Sequence, residues 1–158
     1  MALDHFISPT VPEAAATAVR LGAGSGTSNQ VDTKEQGKIV KLAGESRYDL
    51  AAAGDDIEGV IYAVELAPQN GFTIGSVYSD GRARVVFDGL QATAGTGVIA
   101  VGDYVVAGTV TAKGTALTTY PKVCKATSQG TQKFLWRVVS LGTAGSGAVG
   151  TTGVIERV

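Results

Sequence analysis

Gly145, Gly147 and Gly150 stand at the spacing GxGxxG, in which glycines let a backbone turn approach a dinucleotide pyrophosphate at the start of a helix. That chemistry also requires the helix, a second strand and an acidic residue about 20 positions on. Eight residues follow Gly150, so a loop is expected here and no dinucleotide. The run GAGSG at residues 22–26 precedes any strand and reads as linker, and no GxxxxGKS or GxxxxGKT phosphate loop occurs. His5 is the single histidine and lies in a stretch with the marks of a flexible segment. A Ser-His-Asp triad, a Cys-His pair and a multi-histidine metal site are therefore not expected. Cys124 is the single cysteine, able to form neither an intramolecular disulfide nor a thiolate cage, and is expected as a small buried apolar side chain. Asp55, Asp56, Glu58, Asp80, Asp88 and Asp103 remain as carboxylates that could meet for acid/base work. On a β scaffold such residues sit mostly at strand ends, as turn caps or solvated charges, and a hydrolase would need three of them in one cleft. The chain is read as non-enzymatic, with no cofactor and no metal.

The elements that must position these residues are strands. Residues 57–111 hold the densest run of β-branched side chains. There Val60, Tyr62, Val64 and Leu66 alternate with Ile61, Ala63 and Glu65, the period-two pattern of a half-buried strand. Asp80 and Gly81 stand between two apolar runs and suit a two-residue turn, so VYSDGRARVVF is expected to form an antiparallel hairpin. Ala83, Val85 and Phe87 would line its dry side, with Arg82, Arg84 and Asp88 mostly on the wet one. The strings AGDDI (residues 53–57) and VGDYV (residues 101–105) share a small or apolar residue, Gly, Asp, any residue and a β-branched one. Each predicts a corner where Gly takes a left-handed conformation and the Asp carboxylate accepts local N–H groups before the next strand. The second corner opens the apolar run from Tyr104 to Ala107, which Gly108 is expected to bend. Between KIVKL and residue 57 the chain reads as turn-rich. Further on, KVCKA follows Pro121, SQGTQ reads as a turn, and AVGTTGVIERV returns to strand character. In FLWRVVSL, Phe134, Trp136 and Val138 share one face while Leu135, Val139 and Leu141 share the other. With both faces apolar, that strand is expected either in the middle of a closed barrel or sandwich, or with one side buried by a neighbouring subunit.

At 158 residues the chain is expected to fold as one domain, burying roughly 70% of its unfolded surface. Its 22 glycines and its low share of charged residues, 17%, suit short strands joined by glycine turns. The expected class is all-β: a compact antiparallel β-barrel or β-sandwich with an extended N-terminal arm. Residues 1–36 are read as arm and linker, and residues 37–158 as the single β domain. A formal net charge of −1 lacks the basic footprint of a nucleic-acid binder. No stretch reaches the ~20 apolar residues of a membrane span, and the first residues lack the basic start and apolar run of a secretory signal. A soluble protein made in a reducing cytoplasm is expected, without nucleic-acid or membrane partners. In the arm, Pro9 and Pro12 punctuate an extended lead-in, residues 13–21 have the composition of two helical turns, and LGAGSGTSNQ is a flexible linker. The arm is either a frayed terminus or a tether for Phe6, Ile7, Val11 and Val19, apolar side chains that order against a sister subunit or a partner. With Trp136, these four are the candidate contact residues.

One stretch has a wider likeness. GKIVKLAGESRYDLAAAGDDIEGVIYAVE, then GSVYSDGRARVVFDG, then IAVGDYVVAGTVTAKGTAL, roughly residues 37–117, resembles the capsid cement, or decoration, proteins of tailed bacteriophages. The shared feature is order: a Gly-Lys-apolar strand, an Ala-rich stretch ending in Gly-Asp, a Gly-Val strand, a glycine-spaced hairpin and a Gly-Asp strand entry. The resemblance implies a β-barrel or β-sandwich structural virion protein, assembled in the bacterial host cytoplasm. It would bind the outer surface of the expanded head and bridge major capsid proteins, commonly as a homo-oligomeric trimer. The alternatives are a non-enzymatic carbohydrate- or receptor-binding β module and a trimeric β-barrel hydrolase.

Overall fold

The computed structural model describes residues 16–22, 31–44, 47–65 and 73–158. Strands β1 (Ala16–Leu21), β2 (Ile39–Gly44), β3 (Arg47–Leu50), β4 (Gly59–Val64) and β5 (Thr73–Tyr78) close a barrel in the order β1-β3-β2-β4-β5. The chain then builds a second sheet from β6 (Arg82–Leu90), β7 (Thr93–Ala94), β8 (Val105–Ala107), β9 (Lys122–Lys125), β10 (Trp136–Ser140) and β11 (Thr152–Arg157). Its order is β10-β11-β6-β9-β8, with β7 on β6. A bridge between Tyr104 and Arg137 ties the entry of β8 back to β10, and the N–H groups of Gly102 and Val138 donate to the carbonyls of Val138 and Asp103. Pairing is antiparallel except for β1 with β3 and β6 with β9. The all-β barrel expected from glycine turns and β-branched runs is the architecture found.

Among the described residues two large apolar cores, beside a small cluster of Val106, Cys124 and Ala126, follow from which face each strand turns inward. Val19, Leu21, Val31, Val40, Ile61, Val64 and Val77 form one of them. The larger core packs Ile39, Ala51, Ile57 and Val60 of the first half of the chain against Ala83, Val85, Phe87, Val105, Val123, Trp136, Val138 and Ile155 of the second. Strand β6 alternates as its sequence predicts, with Ala83, Val85 and Phe87 all buried. Strand β4 does not. Its register with β5 shifts between Ile61 and Ala63, and the extra residue of a bulge changes the phase of alternation. Ile61 and Val64 therefore share one core, Val60 joins the other, and Tyr62, expected beside Val60 and Val64, is 55% exposed.

The Asp80–Gly81 turn is also not a hairpin. Gly81 has φ +83° and donates its N–H to Asp80 Oδ1 at 2.8 Å, yet β5 pairs with β1 and β4, while β6 pairs with β11, β9 and β7. The turn carries the chain from the barrel to the second sheet. A tight turn dictates where the chain bends, whereas the partner on each strand edge is chosen by longer-range burial. Residues 47–50, read as turn-rich, form β3 because the edges of β1 and β2 both need a partner.

The N-terminal segment changes most. Residues 16–21, given a helical composition, are strand β1, inserted between β3 and β5. Val19 and Leu21 point into the barrel core and Arg20 is exposed, so Val19 is core here and not free cargo on an arm. Closing a barrel satisfies both edges of the strand, which outweighs the helix preference of alanines. Residues 16–22 and 31–36 thus belong with the folded strands, across the boundary expected at residue 36. Phe6, Ile7 and Val11 lie outside the described residues. A 3₁₀ turn, Thr33–Glu35, follows, capped by Asp32, whose Oδ1 accepts the Lys34 N–H at 2.7 Å. It delivers Glu35, fully buried, into an ion pair with Lys38, itself 5% exposed. Glu35 Oε1 also accepts the Gly114 N–H, and Lys38 Nζ donates to the Ala112 carbonyl at 2.9 Å. This buried clasp joins the start of the barrel to the loop after β8.

Candidate adhesion surface

Of the carboxylates singled out from sequence, Asp55, Asp56, Asp80 and Asp103 each accept a backbone N–H. Asp55 Oδ2 accepts the Ala52 N–H at 2.7 Å and pairs with Lys41 Nζ at 2.6 Å; Asp103 Oδ2 accepts the Ala100 N–H at 2.8 Å, and its Oδ1 pairs with Lys125 Nζ at 2.9 Å. Gly54 and Gly102, at φ +87° and +91°, precede them in the left-handed conformation. The two Gly-Asp strings make the same corner, as their spacing predicts, and in the structure a lysine clasps each. Asp56 Oδ2 accepts the Lys133 N–H at 2.9 Å. Asp55, Asp56 and Glu58 line one open depression with Lys41, Leu42 and Lys133, a closeness their adjacency in sequence imposes. Among the described residues no group of three His, Cys, Asp or Glu side chains is placed to hold a metal ion.

Asp88 was expected mostly on the wet face and is 4% exposed. Its Oδ2 accepts the Thr109 N–H at 2.8 Å and its Oδ1 faces Lys122 Nζ at 3.5 Å. Burial alone would raise its pKa, but the Thr109 hydrogen bonds and the Lys122 charge together outweigh it and hold the carboxyl below the ordinary 3.8. Cys124 is 3% exposed, as expected, and burial with the nearby Asp88 charge pushes its thiol up to about 11, which keeps it a neutral apolar filler. Because Asp88 has a depressed folded pKa, its contribution to stability is complete above its unfolded value and drains as the pH falls through the folded one. Urea titrations of wild type and Asp88→Asn at pH 7 and pH 3 are expected to differ by about 1–3 kcal/mol at pH 7 and by less at pH 3. An equal gap at both pH values would remove Asp88 from the acid response.

Three loops gather at the end of the second sheet where β6 finishes. Val98 bridges Ala148, Ile99 N–H donates to the Gly147 carbonyl at 3.0 Å, and Gly150 N–H donates to the Phe87 carbonyl at 2.8 Å. Gln91 joins the third loop, its Oε1 accepting the Thr127 N–H at 2.9 Å. The approach is tight: a Cβ on Gly147 would fall 1.6 Å from the Ile99 carbonyl oxygen, so only glycine fits there. The loops share a chemical character, since residues 89–102, 126–132 and 138–155 contain no charged side chain. Val98, Val101 and Val149 project from this rim, 64%, 59% and 40% exposed. Sequence reasoning discounted the 145–150 loop as a nucleotide site and passed over these valines. The signal that marks them is the long interval without charge.

The contact residues expected from sequence are not brought together. Val19 and Trp136 are both buried, in different cores, and Trp136 has no exposed surface to offer a partner. Comparison of the chain with protein-family models, with curated proteins and with solved structures found no match.

Proposed function

We propose that this chain is a virion cement protein: a non-enzymatic β protein that docks on the outer surface of a tailed-phage head as a small homo-oligomer, a trimer, and bridges major capsid proteins. The uncharged rim carrying Val98, Val101 and Val149 is the observation that carries the reading, together with the resemblance of residues 37–117. A surface without charges loses little on desolvation, and exposed valines gain by burial, so such a rim suits adhesion. A protein that binds only the assembled shell stabilises it by mass action, and an oligomer multiplies weak contacts. A sugar-binding module would favour clustered exposed aromatics, whereas among the described residues Tyr62 is the one exposed aromatic side chain.

Co-sedimentation is the direct test. The protein is expected to pellet with expanded heads and not with unexpanded ones, and to raise the temperature at which filled heads rupture. Placing aspartate at Val98 and Val149 is expected to weaken head binding about tenfold or more while moving the unfolding free energy by less than about 0.5 kcal/mol. Heads that ignore the wild-type protein, or bind the aspartate variant equally, would defeat the proposal.

A further inference from the structure

On the outward face of β6 the charges come in opposed pairs, with one exception. Arg82 Nε meets Glu156 Oε1 at 3.1 Å, and Asp88 Oδ1 meets Lys122 Nζ at 3.5 Å. Arg84 lies between them and forms no ion pair among the described residues. Its register partner on β11 is Val154, where Glu156 serves Arg82. The Arg84 guanidinium donates from Nη1 to the Tyr120 hydroxyl at 3.4 Å, close to the limit for a hydrogen bond, and its carbon lies 6.0 Å from the Tyr120 ring centre. Its Nε–H is enclosed and has no acceptor among the described residues. Beside it runs a groove of ≈ 410 Å³ lined by Tyr120, Gly142, Thr143, Thr152, Gly153 and Val154.

We propose that Arg84 is the docking point for a single carboxylate, an Asp or Glu side chain presented by a partner protein. A half-buried guanidinium without a carboxylate beside it keeps its charge uncompensated, and a carboxylate arriving in the groove compensates it. The planar fork of arginine matches a carboxylate through two parallel hydrogen bonds. Among the described residues Arg84 is the one cation lining the groove, so a monoanion is balanced there and a phosphate dianion is not. The hydroxyl-bearing side chains of Thr143 and Thr152 line the same space. A protein source fits the surroundings: Thr143 of the groove and Val149 of the rim belong to one uncharged stretch, residues 138–155. The inference deepens the cement reading and rests on it only for the identity of that partner.

The test uses the ¹⁵N-labelled full chain and three probes: acetyl-Gly-Glu-Gly-amide, its Gln counterpart and inorganic phosphate. The Glu peptide is expected to shift the Arg84 Nε–H and the amides of Gly142, Thr152 and Gly153 saturably. Binding of the Gln peptide or phosphate, or of the Glu peptide to Arg84→Lys, is expected to be about fivefold weaker or more, because the Gln peptide loses the charge, the phosphate dianion brings a second charge that one guanidinium does not balance, and lysine loses the paired geometry. In parallel, Arg84→Gln is expected to bind expanded heads about tenfold more weakly with its unfolding midpoint unchanged. No saturable shift, equal binding of the Gln peptide or phosphate, or head binding indifferent to Arg84→Gln overturns the proposal. Heads that bind the wild type while the Glu peptide is inert leave the cement reading standing and remove the carboxylate site. Heads that ignore the protein while the Glu peptide binds do the reverse.

Discussion

Replacing Glu35 with alanine is expected to cost about 3–5 kcal/mol of unfolding free energy, because it leaves the Lys38 ammonium buried without its carboxylate. Glu35 is fully enclosed and Lys38 is 5% exposed, so water can do little for the orphaned charge. The loss also frees the Gly114 N–H, which donates to Glu35 Oε1, and loosens the loop that Lys38 holds through the Ala112 carbonyl. The pair as a whole contributes far less than that figure. Its attraction is offset by the cost of removing two charges from water, so replacing both residues with methionine is expected to recover most of the stability. Urea unfolding of wild type, the two single variants and the double variant measures the coupling directly. A Glu35→Ala cost below about 1 kcal/mol would mean that the side chain is solvated in the working protein and the clasp is not formed.

Trp136 is the second large effect. The only tryptophan of the chain has no exposed surface and lies among Phe87, Val85, Val138 and Ile155 in the larger core. Trp136→Ala is expected to cost about 3–5 kcal/mol, the usual penalty for emptying so large a site. Trp136→Phe is expected to cost clearly less than the alanine change. The indole Nε1–H has no hydrogen-bond partner among the described residues, so phenylalanine gives up packed area without breaking a polar contact there. Fluorescence supplies a second readout: acrylamide should quench the native protein weakly and the unfolded protein strongly. An alanine variant with an unchanged unfolding midpoint would place the ring outside the core and return it to the list of contact residues.

Much of the architecture was legible from local pattern. The β6 alternation of Ala83, Val85 and Phe87, the twin Gly-Asp corners and the buried thiol of Cys124 all depend on a few neighbouring residues, and the structure agrees with each. The failures share a different cause. The bulge that turns Tyr62 outward, the Asp80–Gly81 turn that separates two sheets and the conversion of residues 16–21 into β1 each depend on which distant edge needs a strand. Trp136 shows the division within one residue. Its strand is apolar on both faces in the sequence, which is equally compatible with a core and with an interface, and only its packing against β6 and β11 places it inside.

The candidate surface divides the same way. Three uncharged intervals are visible in the linear chain, because absence of charge needs no fold to be seen. That they meet at one end of one sheet, and that Arg84 stands between two satisfied ion pairs with no carboxylate of its own, comes from strand order and register. Composition and periodicity act over a few residues and so determine the class of fold. Proximity between residues sixty or more positions apart is set by the closure of barrel and sheet, where burial and edge pairing compete over the whole chain at once.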